Sequence, residues 1–173
     1  YHVMIKRFKK YLPEFVYGGV DGSVTTFAVV SWAVWANLET RIILILWFAN
    51  LLADGFSMSI GAYLSSKAEL QQKWKTKKHS KTPFNIGLAT FISFLFIGII
   101  PLSIYVINIF TENITHLFFW ASILTFIWFA FIGLLKSLIT QKSKLISIGE
   151  TLILWALAAA VAYYVGDFLE KIV

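Results

Sequence analysis

Apolar runs long enough to cross a bilayer recur along this 173-residue chain, separated by short polar connections rich in lysine. A helix rises about 1.5 Å per residue, so about twenty apolar residues span a hydrocarbon core of roughly 30 Å. Runs of that length fall at about 15–36, 42–66, 84–110, 117–138 and 146–168. Backbone polar groups in hydrocarbon must be satisfied within the segment, so each run is predicted as a helix. The expected fold class is therefore an all-α membrane protein, one transmembrane domain over 1–173 with five transmembrane helices. Pro101 lies inside the third run and predicts a kink, because it removes one backbone hydrogen bond and crowds the preceding turn. The second helix is expected to continue past its apolar run through Glu69, into a basic cytoplasmic stretch at 67–83.

The charges set the orientation. Only 14% of the residues are charged, where a soluble domain of this size carries about a quarter. Lys6, Arg7, Lys9 and Lys10 precede the first run, and Lys67, Lys73, Lys75, Lys77, Lys78 and Lys81 lie between the second and third. Lys136, Lys142 and Lys144 lie between the fourth and fifth, which leaves Arg41 and Lys171 on the other side. The positive-inside rule then makes the N-terminus cytoplasmic and the C-terminus non-cytoplasmic. The formal net charge of +6 is spent on these topology clusters, so no nucleic-acid partner is expected. No cleavable leader is expected either, since the first run is too long for one and contains Asp21.

The chain has no Cys, which excludes disulfides, thiolate metal sites and Cys nucleophiles. Any metal must be held by oxygen, imidazole or thioether. In the first run Glu14, Gly18, Asp21 and Thr25 recur at three- and four-residue intervals and share a helical stripe, as do Asn50, Asp54, Met58, Gly61, Ser65 and Glu69 in the second. A carboxylate at bilayer depth costs roughly 2.5 to 3.5 kcal/mol on insertion scales, so one that is kept faces a cavity, a partner or an ion. Asp21 and Met58 fall about 10 and 12 Å from the cytoplasmic ends of their runs and can share a plane, with Asp54 deeper. Carboxylate with thioether leans towards Fe(II) over Mg(II) or Ca(II). Glu14 and Glu69 would form an acidic entrance.

Each of these residues also has a plainer reading. A lone Met in an apolar helix more often packs than ligates, and Asp21 or Asp54 could serve as a hydrogen bond to a neighbouring helix. Gly18, Gly19, Gly22, Gly55 and Gly61 could expose carbonyls to an ion or only allow close helix approach. His79 and His116 lie in or beside loops without a second His at ligand spacing. Asn113-Ile-Thr115 is a glycosylation sequon. Glu150 is expected to complement a helix N-terminus.

The segments Glu14-Phe-Val-Tyr-Gly-Gly-Val-Asp-Gly-Ser, Ala49-Asn-Leu-Leu-Ala-Asp-Gly-Phe-Ser-Met, Tyr63-Leu-Ser-Ser-Lys-Ala-Glu and Gly149-Glu-Thr-Leu, with Ala158-Ala-Ala-Val-Ala-Tyr-Tyr-Val-Gly, resemble the vacuolar iron transporter family over nearly the whole chain. The resemblance implies a five-span protomer and a homodimer whose ion path runs along the two-fold interface, lined by the first two spans. It implies Fe(II) or Mn(II) as transported substrate, exported from the cytosol against protons, with no permanently bound cofactor and no enzyme activity. By motif, Asp21 and Met58 become pathway ligands and Glu69 lies at the cytoplasmic mouth. Glu14 and Asp54 match the prokaryote-like form of the motif. Along the two stripes, Gly18, Gly22, Thr25, Asn50, Gly61 and Ser65 are expected to line the path. Short loops and that form of motif point to a bacterial plasma membrane, or to an organelle membrane if the source is eukaryotic.

Two features depart from the family. The long Glu-rich helical insertion after the second span is absent, and Gln71 to Pro83 is short and basic. Trp32, Trp35, Trp47 and Trp155 stand where relatives usually carry Gly, and such indoles would wedge the bundle or block the path. One hypothesis is that some are UGA-encoded Gly read as Trp, which UGG codons at all four positions would eliminate. Two rival functions use the same acids: an intramembrane aspartyl protease with Asp21 and Asp54 as its pair, and a membrane scaffold subunit whose acids only hold helices together.

Overall fold

The computed structural model describes residues 2–36, 38–72, 81–111 and 116–171, and among them every regular element is a helix. Lys73, Lys75, Lys77, Lys78, His79 and the sequon at 113–115 lie outside the described residues, as does Asn37. The elements are α1 (His2–Trp35), α2 (Thr40–Gln72), α3 (Pro83–Gly98), α4 (Ser103–Thr111), α5 (Leu117–Thr140) and α6 (Lys144–Glu170).

Three of these, α2, α5 and α6, are long and apolar enough to cross a membrane. The segments α3 and α4 meet the same test together, bent by 47° at the break that contains Pro101. That break is the kink expected from the missing proline N–H. The first helix is long enough, about 51 Å at the usual rise, but its Gly, Ser and Thr run with Asp21 makes it less apolar than the others. It also begins earlier than the apolar pattern does. The basic segment at 2–11 and the first apolar run form one helix straight through Pro13.

α1 is the central element: it packs on α2, α3, α5 and α6. Two clusters fix it. Val30 and Ala33 meet Ile43, Trp47 and Leu51 of α2, with Phe94, Leu102, Tyr105 and Ala121. Nearer the start of α1, Phe15, Val16 and Val20 pack around Ile97, Ile100 and Ile132. The start of α3 is defined locally: Pro83 occupies its first position, where no N–H is needed, and the Thr82 hydroxyl accepts from the Asn85 N–H at 3.4 Å.

Trp47 and Trp155, two of the four tryptophans singled out in the sequence, pack inside the bundle. Trp47 is fully buried, and Trp155 packs among Phe27, Phe126 and Phe129 at ring-centroid distances of 5.4, 5.8 and 6.4 Å. Neither acts as a wedge, although the Nε1 of each is buried without a hydrogen-bond partner. Trp32 is 36% exposed at an apolar groove between α1 and α6, and the side chain of Trp35 lies outside the described residues.

Candidate metal pathway

The position of Asp21 follows from the glycines beside it. A Cβ on Gly18 would lie 2.6 Å from the Thr90 carbonyl oxygen, and one on Gly22 would lie 2.5 Å from that of Phe94. These are backbone atoms that cannot step aside, so α1 and α3 touch only because both residues lack a side chain. The Ser93 hydroxyl adds a 2.5 Å hydrogen bond to the Phe15 carbonyl. Gly18 and Gly22, expected to line an ion path, are buried in this contact. The stripe had the right period, but glycines along it face a helix that the period cannot identify.

With that face committed to α3, Asp21 projects from the flank of α1. It lines an open cleft of about 410 Å³ whose walls include Val16, Tyr17, Val20, Lys136 and Leu154. It also lies close enough to Asp54 of α2 for the two charges to interact. The ion pairs among the described residues go to Glu14, Glu150 and Asp167, and neither Asp21 nor Asp54 has one. Two half-buried acids, one on α1 and one on α2, thus stand outside the ion pairs found among the described residues, a costly arrangement in an apolar environment. Thr25 gives no help, since its hydroxyl donates to the Asp21 carbonyl oxygen at 2.9 Å.

On α2 the polar stripe changes character along its length. Asn50, Asp54 and Met58 are half-buried, and Met58 packs against the apolar cluster around Trp47. Gly61, Ser65 and Glu69 are exposed, and a Cβ on Gly61 would meet nothing within 4 Å. Asp54 lies one helical turn from Met58 on the same helix. Among the described residues, no three His, Asp or Glu side chains come together as a metal site. One protomer offers a pair of carboxylates and a neighbouring thioether, an incomplete set for a divalent ion.

Glu14 and Glu150 are already paired. Both Glu14 oxygens accept from the Lys81 ammonium, at 2.7 and 2.9 Å, so the expected acidic entrance is neutralised at this residue. Glu150 does not complement a helix N-terminus. It lies well inside α6 and ties that helix to α5 through Lys136 at 2.6 Å, with Lys142 at 3.0 Å. Lys81 and Lys136 were visible in the sequence only as topology charges. The available signal for Lys81 was its place directly before the Thr82-Pro83 helix start, which fixes its backbone beside α1.

The sequence profile of the VIT family matches residues 12–82 and 70–167. A vacuolar iron transporter of Plasmodium berghei is 24% identical over 227 aligned positions, covering 94% of this chain and 83% of that protein. One from Toxoplasma gondii is 46% identical over 59 residues, covering 34% of this chain and 20% of its own length. One from Plasmodium falciparum is 33% identical over 73 residues, covering 42% and 27%.

Proposed function

The chain belongs to the VIT family, and from that premise we infer that it is a multi-pass membrane transporter that carries a divalent metal ion past Asp21 and Asp54. The observation that supports this reading is the presence of two half-buried acids, Asp21 on α1 and Asp54 on α2, neither of them in an ion pair among the described residues. Repulsion between them is relieved when a cation or a proton binds. The same site can therefore exchange one for the other, which is the elementary step of an antiporter. The protease reading used the same two acids, and membership in a transporter family sets it aside.

The finer features of this proposal are Fe(II) as first substrate with Mn(II) second, export from the cytosol, and coupling to proton entry. Protonation of the acids releases the metal, and loss of the protons to the cytosol resets them. Met58, a turn from Asp54, adds a soft ligand that favours Fe(II). Five spans are proposed, with α1 as the first, α3 and α4 together as the third, and the N-terminus cytoplasmic. A homodimer is proposed because one protomer lacks a complete ligand set, while the face of α2 that bears Gly61 and Ser65 is open. A second copy meeting there would double the ligands.

The test is flux of Fe(II) and Mn(II) in proteoliposomes of the full chain, with and without a pH gradient. Metal-dependent proton movement is expected. Undiminished flux through Asp21→Ala would remove that residue from the path. A chain that binds neither metal in a titration is a scaffold rather than a transporter.

A further inference from the structure

Glu14 lies seven residues before Asp21 on α1, about 10 Å along the helix, and its carboxylate is occupied by a cation that belongs to the protein itself. We propose that Lys81 is a tethered counter-cation that caps Glu14 at rest and sets the concentration of divalent metal needed to enter the path. This rests on the reading of Glu14 as a cation-capturing group of the transporter.

The pair is held more firmly than a surface lysine and glutamate. The Lys81 side chain is 22% exposed and that of Glu14 13%, and one ammonium engages both carboxylate oxygens. The Lys81 ammonium also stands 5.6 Å from the centre of the Tyr11 ring, a cation-π contact. The Tyr11 hydroxyl accepts from the Asn85 side-chain amide at 3.3 Å, linking the ring to the first turn of α3. The backbone of Lys81 is set by the Thr82 cap and Pro83 that follow it.

The α1–α3 contact does not depend on this pair. Gly18, Gly22 and the Ser93 hydrogen bond already hold the two helices together along their length. What remains for Lys81 is its charge. An ammonium on a flexible four-carbon stem neutralises a carboxylate without sealing it, because it can swing aside. A monovalent ion competes with it on equal charge, whereas a divalent ion brings twice the charge to the same oxygens. The cap therefore discriminates against Na(I) and K(I) at the point of entry.

The experiment measures Mn(II) flux against Mn(II) concentration in proteoliposomes of the full chain and its variants. Lys81→Met is expected to lower the half-saturating concentration by about fivefold, the size of one partly shielded ion pair, with the maximal rate little changed. Lys81→Arg, whose guanidinium binds carboxylate bidentately, is expected to raise it. A purely structural pair predicts the reverse order, with Lys81→Met impaired and Lys81→Arg like the parent, and that result overturns the proposal. Lys81→Gln replaces Lys81→Met if the latter does not fold. Glu14→Gln in the Lys81→Met background should abolish the gain, and a gain that persists also overturns it. If Glu14→Gln alone leaves half-saturation unchanged while the parent transports Mn(II), Glu14 is not a capture group and the cap fails, but transport stands. Absence of flux in the parent removes the transport reading itself.

Discussion

The polar stripes of the two longest helices each carry glycine, and there the glycines do opposite things. On α1, Gly18 and Gly22 press against the backbone of α3 so closely that a single added carbon collides with a carbonyl oxygen. On α2, Gly61 stands in open space with Ser65 and Glu69 exposed beyond it. One region is a finished contact and the other is open within the protomer. The acids sit at the boundary: Asp21 at the flank of the packed face, Asp54 on the helix whose stripe leads outwards. A rigid helix on one side and an open face on the other is the arrangement that lets a charged group be positioned firmly and still be reached.

Breaking the packed side should have the largest effect. Gly22→Ala is expected to cost about 2–3 kcal/mol through overpacking against an unyielding backbone, and Gly22→Leu is expected to give no folded protein. Thermal melting and the yield of monodisperse protein in detergent measure both. A Gly22→Leu variant that folds with parental stability would mean that α1 and α3 are not held as described.

Next comes the boundary. Asp21→Asn keeps the size of the side chain and removes its charge and its repulsion with Asp54. Stability should hold or rise slightly, while metal flux falls by about a hundredfold, a loss of the size seen when groups that tune a metal site are removed. Loss of stability together with flux would show the acid to be structural, and the contrast between the two regions would collapse. Ser93→Ala, on the packed side, should cost only about 0.6 kcal/mol, the typical worth of a hydrogen bond between membrane helices. Its flux should match the parent.

Much of this was legible in the sequence, for reasons that differ by residue. The apolar runs marked helices because hydrocarbon leaves the backbone no alternative, and Pro101 marked the break because it lacks an N–H. Asp21 and Asp54 were conspicuous because charge in an apolar run is expensive. The roles of Gly18 and Gly22 were not legible: period reports which residues share a face, but not which neighbour that face meets. The Lys81–Glu14 pair joins residues far apart in the chain, and pairing across such a distance leaves no local pattern. Glu150 was misplaced for a related reason, since a carboxylate near a helix start suits the dipole, and only the fold brings Lys136 alongside it.

A similarly small expected effect probes the open side most sharply. Gly61→Ala adds one carbon where nothing lies within 4 Å, so packing within the protomer is untouched. Alanine also restricts the unfolded chain and favours helix, which should stabilise an isolated protomer by about 0.5–1 kcal/mol. If a second copy approaches this face, as the proposed dimer requires, the same carbon falls in a helix crossing where small residues allow close contact, and the dimer weakens. Melting temperature and the concentration dependence of the dimer in detergent therefore move in opposite directions for one substitution. A variant that is more stable and equally dimeric would place the two-fold contact elsewhere on the protein and leave this face of α2 to lipid.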